Sequence, residues 1–100
     1  MKKLTVILFE NDLENKEYSD RVCEKFSDLP AEKEFCGIWG EILFNDSEVL
    51  LAICTTINHF VENTEKNEII FGCCKKDYTA ILARIHIEHC LVDTVFCQDL

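Results

Sequence analysis

Hydrophobic and polar positions divide the chain into short apolar runs and longer stretches with helical spacing. The run KLTVILF at residues 3–9 has apolar side chains on both faces, which predicts an interior strand. Tyr18, Val22 and Phe26 then recur every four residues and predict an amphipathic helix over 13–28. The polar residues between them would lie on the outer side of that helix.

The next part of the chain repeats this order of strand and helix. Residues 35–44, FCGIWGEILF, predict a second strand, in which Gly37 and Gly40 indicate a bulge or a close neighbour. The stretch after Asn45 has a wide apolar stripe and predicts a second helix. Residues 68–74 predict a third strand.

The last quarter of the chain supports two interpretations. The spacing of apolar residues within 78–85 suits a helix that begins at Asp77. Residues 84–89, however, alternate strictly between polar and apolar, which is typical of a strand. We favour a strand over most of 80–90 and expect a final strand over 91–97.

The length and the order of elements predict the fold class. One hundred residues is the size of one small domain, so we expect residues 1–100 to form a single globular unit. The predicted order β-α-β-α-β-β-β has its helices early and its strands late, which is typical of the α+β class. We expect a mixed sheet of about four to five strands with two helices.

Charge and cysteine content narrow the classes of function. The net charge is −9, and residues 10–48 contain 12 acidic and 4 basic residues. Nucleic acids and anionic lipids bind to basic surfaces, so we expect neither direct nucleic-acid binding nor membrane binding. No apolar run suits a signal sequence or a spanning helix, and seven cysteines cannot all pair, so we expect a cytoplasmic protein with free thiols.

Acidic residues gather before and along the first predicted helix. Residues spaced by three and four lie on one side of a helix, here opposite the apolar positions. Such a side can attract a cationic protein, although an ordinary solvated helix surface has the same pattern. An exposed Trp39 nearby would serve as an anchor, whereas a buried one belongs to the core. The candidate partner-binding residues are Glu10, Asp12, Glu14, Glu17, Asp20, Glu24, Asp28 and Trp39.

Cysteine and histidine residues near the end of the chain offer a second candidate chemistry. A metal- or redox-dependent domain would use their thiolate and imidazole groups as ligands. The residues for this alternative are Cys73, Cys74, His86, His89 and Cys90. Their spacing matches no standard zinc pattern, and the three glycines of the chain are too scattered to cradle a phosphate. We therefore expect no cofactor, no bound metal and no enzymatic activity.

These features favour a small acidic inhibitor that binds a basic protein. The most specific form of this hypothesis is a bacterial immunity-type protein that neutralises a basic nuclease toxin, because an acidic partner can block a cationic cleft. The alternatives are the metal- or redox-dependent domain and a phage-encoded inhibitor that mimics DNA. The sequence leaves the oligomeric state open.

Overall fold

Helices and strands alternate along the whole of the described chain. The computed structural model describes residues 2–39, 46–86 and 90–100, apart from the side chains at positions 12, 13 and 15. Its elements are β1 (Lys2–Phe9), α1 (Asp12–Lys25), β2 (Lys33–Ile38), α2 (Ser47–Asn63), β3 (Glu68–Cys74), α3 (Lys75–Leu82), β4 (Cys90–Phe96) and a 3-10 turn at Cys97–Asp99. This combination of helices and strands in one small domain confirms the α+β class.

The strands of the described residues form one sheet in the order β2-β3-β1-β4, and every neighbouring pair is parallel. β1 lies in the interior, with residues 4–9 all buried, as its two-sided apolar pattern predicts. The parallel pairing differs from the mixed sheet that we expected. The reason is α3, because a strand that follows its predecessor through a crossover helix returns in the same direction.

The prediction of a strand over most of 80–90 is wrong within the described residues. α3 continues to Leu82, and residues 83–86 form turns and irregular structure. Tertiary packing favours the helix, because it buries Ile81 completely against the sheet. Residues 87–89, which supplied half of the alternating pattern, lie outside the described residues.

The helices cover the sheet from both sides. α1 packs on one face through Val22, with Tyr18 and Phe26 beside it. α2 and α3 pack on the opposite face, where Ile57 and Ile81 are fully buried. Two hydrophobic clusters result, one on each side of β1. The inward position of Val22 agrees with the helix orientation predicted from the spacing.

The first two elements after β1 end earlier than the sequence suggests. α1 begins after Asn11, whose side chain accepts a hydrogen bond from the Glu14 backbone N–H at 2.8 Å, and it ends at Lys25. Asp28 therefore lies in the bend beyond the helix rather than on it. β2 ends at Ile38 and contains a bulge at Gly37, where φ is +112°. The rest of the predicted second strand, from residue 40 onward, lies outside the described residues.

Candidate functional site

The outer side of α1 carries exposed acidic residues. Glu17, Asp20 and Glu24 are exposed, and their spacing places them within about 60° of one another around the helix axis. Val22 is buried on the opposite side. Asp28 is also exposed, just past the end of the helix. We refer to Glu17, Asp20, Glu24 and Asp28 together as the acidic surface.

The acidic surface takes no part in the salt bridges found among the described residues. Those bridges join Lys3 to Glu68 and Asp93, Lys33 to Glu68, Lys75 to Glu10, and His86 to Glu62. Arg21, which lies on the same helix, has its guanidinium 5.8 Å from the centre of the Tyr18 ring. That ring packs against the cluster on the inward side of α1, and the contact between Arg21 and Tyr18 is a cation–π interaction.

Glu10 and Glu14 make contacts at the carboxyl ends of the strands, which we call the carboxyl edge of the sheet. They do not extend the acidic surface. Glu14 accepts hydrogen bonds from the Cys97 thiol at 2.9 Å and from the Glu10 backbone N–H at 2.6 Å. The Glu10 carboxylate pairs with Lys75 Nζ at 3.6 Å. These contacts hold together the end of β1, the start of α1, the start of α3 and the turn after β4. Asp12 is the first residue of α1, and its side chain is not among those described.

The carboxyl edge of the sheet, where Glu10 and Glu14 lie, is the position at which open parallel sheets often bind ligands. β1 and β3 are neighbours, and the helices that follow them lie on opposite faces. Here the described side chains contact one another: Lys75 pairs with Glu10 and lies 6.0 Å from the centre of the Phe96 ring. Burial, together with the Glu14 carboxylate, raises the pKa of Cys97 to about 12. A thiol that stays protonated at neutral pH is a poor nucleophile, so these contacts favour a structural role.

Trp39 belongs to the core on the other side of the sheet. It is half-buried, its ring centre lies 5.9 Å from that of Phe71, and it packs in the cluster beneath α2 and α3. Its backbone N–H donates to the Gly72 carbonyl at 3.0 Å. Because α1 covers the opposite face, Trp39 is not placed to anchor a partner on the acidic surface. We therefore leave it out of the proposed binding site.

The cysteines of the metal alternative lie at opposite ends of the strands. Cys73 and Cys74 end β3, whereas Cys90 begins β4. Their partners on β1 are six or seven residues apart, which corresponds to about 20 Å along a strand. Burial also raises the pKa of Cys73 to about 12, which disfavours the thiolate that a metal requires.

The histidines do not join these cysteines. His86 contacts the Glu62 carboxylate through Nδ1, and its backbone N–H donates to Asn58 Oδ1 at 2.7 Å. His89 lies outside the described residues. In the part of the chain that the structure describes, no three potential ligands come close enough to hold a metal ion.

The last strand has a property that sequence patterns did not reveal. β4 has a largely apolar sequence, yet it lies at the edge of the described sheet with Leu91 59%, Val92 36% and Phe96 37% exposed. Strand order depends on contacts that are distant along the chain, so no local pattern could have marked β4 as an edge. Among the described strands, β4 is the one that carries exposed large hydrophobic side chains.

Comparison with known proteins adds no further information, since no protein-family model, curated protein or solved structure matches this chain. Among the described helices, none has both the length and the apolar character that a membrane crossing requires.

Proposed function

We propose that this chain is a non-catalytic, acidic protein-binding domain that docks a basic protein through the acidic surface. The supporting observation is the exposure of Glu17, Asp20 and Glu24 on one side of a helix that Val22 fixes to the sheet. Carboxylates gathered in this way attract a cationic partner before contact and increase its association rate. A helix already held by the core also presents them with little additional ordering on binding.

Like charges one turn apart in the acidic surface work against helix stability, and the spacing of Arg21 from Glu17 and Glu24 offsets part of this. Asp20 and Glu24 are one helical turn apart, and like charges at this spacing destabilise a helix by about 0.2–0.5 kcal/mol. A purely solvated surface could avoid this cost with a lysine at either position. The acids are also concentrated in residues 10–48, while the rest of the chain is nearly neutral.

The most specific form of the proposal is an immunity-type inhibitor of a basic nuclease toxin in the bacterial cytoplasm. A nuclease binds phosphates, a row of negative charges, in a cationic cleft. The carboxylates of α1 also form a row of negative charges, with about 4.5–6 Å between neighbours along the helix axis. A phage-encoded DNA mimic would use the same acidic surface against another nucleic-acid-binding protein. The identity of the captured partner distinguishes these two forms.

The proposal is tested with two bait proteins that differ from wild type by the same charge. The first removes the acidic surface through Glu17→Gln, Asp20→Asn, Glu24→Gln and Asp28→Asn. The matched control neutralises four exposed acids elsewhere, through Glu32→Gln, Glu48→Gln, Glu65→Gln and Asp99→Asn. Each bait and the wild type are used for quantitative affinity capture from the source cell.

We expect a basic protein that wild type and control retain and that the acidic-surface variant loses. Association of that protein with wild type should slow as salt is raised, because screening weakens the attraction between exposed charges. If both variants retain the same proteins, the acidic surface is only a solvated helix face and the proposal is wrong.

A further inference from the structure

β4 has the apolar composition of a buried strand, but it lies at the exposed edge of the sheet. Five of its seven residues, CLVDTVF, are apolar, as in strands that are buried on both faces. Among the strands that the structure describes, it pairs with β1 alone. An edge strand with this composition is normally protected, because its free N–H and C=O groups invite pairing with another chain.

The exposed side chains of β4 lie on both faces of the sheet. The register pairs Val92 with Leu4 and Phe96 with Leu8, which places them on the face covered by α2 and α3. Leu91 occupies the alternate position and lies on the α1 face. A helix docked on one face would leave the other exposed, whereas a strand added to the edge contacts both. The shape of this surface therefore indicates a strand as its occupant.

We propose that β4 is a self-association surface, on which β4 of a second copy of this chain pairs antiparallel about a two-fold axis perpendicular to the sheet. Such an axis keeps equivalent faces together and creates one continuous sheet of eight strands from the two copies. With the axis at Thr94, Val92 lies opposite Phe96 of the other copy. Asp93 lies opposite Val95, so the two aspartates do not face each other.

Charge favours a second copy over a basic partner at this edge. Asp93 is the only charged residue of β4, and Lys3 within the same chain already lies 3.6 Å from it. The strand therefore presents an apolar, locally neutral edge that is complementary to itself. The acidic surface lies on α1 instead, so the two surfaces are separate. In the proposed dimer, both α1 helices lie on the same face of the joined sheet.

The test compares two variants that are matched in residue type and exposure. Leu91→Lys with Val92→Lys places two cations on β4, where charge opposes edge pairing. The control, Leu51→Lys with Val49→Lys, makes the same substitutions at exposed positions of α2. Sedimentation velocity gives the mass of each protein over a wide concentration range. Circular dichroism and thermal unfolding show whether each variant is folded.

We expect wild type and the α2 control to sediment as particles of two 11.6 kDa chains, and the β4 variant as one folded chain. As a measurement that needs no variant, amide exchange over residues 91–96 of wild type should slow as the protein concentration rises. A wild type that remains monomeric, a dimer that survives the β4 substitutions, or a dimer that the α2 substitutions also dissociate would each overturn the proposal. None of these results depends on the basic partner proposed for α1.

Discussion

The Cys97 thiol donates a hydrogen bond to the Glu14 carboxylate across 2.9 Å, joining the turn after β4 to the first turns of α1. The two residues are 83 positions apart in the chain, so this contact closes the carboxyl edge of the sheet. Cys97 is buried, and Glu14 also accepts the Glu10 backbone N–H. The pair stabilises the fold and keeps Glu14 out of the acidic surface.

Two substitutions of Cys97 distinguish the stability that its hydrogen bond contributes from the stability that its packing contributes. Cys97→Ala removes both, and we expect the free energy of unfolding to fall by about 1–3 kcal/mol. Cys97→Ser keeps a donor for Glu14 and should lose less, as measured by urea denaturation. Equal losses in the two variants would show that the bond to Glu14 contributes nothing.

The orientation of α1 is tested by its buried position. Val22 is almost fully buried between α1 and the sheet, so Val22→Ala should lower the free energy of unfolding by about 1–3 kcal/mol. Cys23, the next residue, is exposed, and Cys23→Ala should change the free energy of unfolding by less than about 0.5 kcal/mol. Similar values for the two variants in chemical denaturation would contradict the inward orientation of Val22.

Charge reversal on α1 should affect binding and folding differently. In Asp20→Lys with Glu24→Lys, the association rate with the captured partner should fall and its dependence on salt should weaken, as measured by stopped flow. The free energy of unfolding should change by no more than about 0.5 kcal/mol, because both positions are exposed. Unchanged association kinetics at low salt would argue against a role of these carboxylates in steering.

Glu68 gives the fold a predictable response to acid. Burial raises its pKa, but hydrogen bonds from Thr5 and Lys33 and the charges of Lys33 and Lys3 outweigh burial and leave it below the ordinary value of 4.5. A carboxyl whose folded pKa is lowered contributes stability above its unfolded pKa, and that contribution disappears as the pH falls through the folded value.

Glu68→Gln should therefore lower the free energy of unfolding at neutral pH by more than it does at pH values below the folded pKa of Glu68. Urea denaturation at a series of pH values measures this difference. Glu65→Gln is the control, because Glu65 is exposed in the loop before β3. A difference from wild type that stays constant from neutral to acid pH would show that ionised Glu68 does not stabilise the fold.

Much of the secondary structure followed from local patterns. The two-sided apolar run of β1 and the four-residue spacing around Val22 were sufficient to predict β1 and the orientation of α1. The apolar stripe of α2 and the runs at β3 and β4 were equally clear. These features can be predicted because side-chain periodicity is a property of neighbouring residues.

The helix at α3 was ambiguous for the opposite reason. Its sequence allowed a helix from Asp77, while the alternation after Arg84 favoured a strand. Only packing on the sheet distinguishes them, because the helix buries Ile81 against a surface made by distant strands. The parallel direction of β4 follows from that helix, since a crossover helix reverses the chain before the next strand.

The sequence alone determined the alternation of most elements, the inward side of α1 and the expected exposure of its acidic residues. Each of these depends on the spacing of residues that are close together in the chain. The tertiary structure decided which acids share a surface: it turned Glu14 toward Cys97 and placed Trp39 on the face away from α1. It also left β4 at the edge of the sheet. These outcomes depend on strand order, which is set by contacts between residues far apart in the chain.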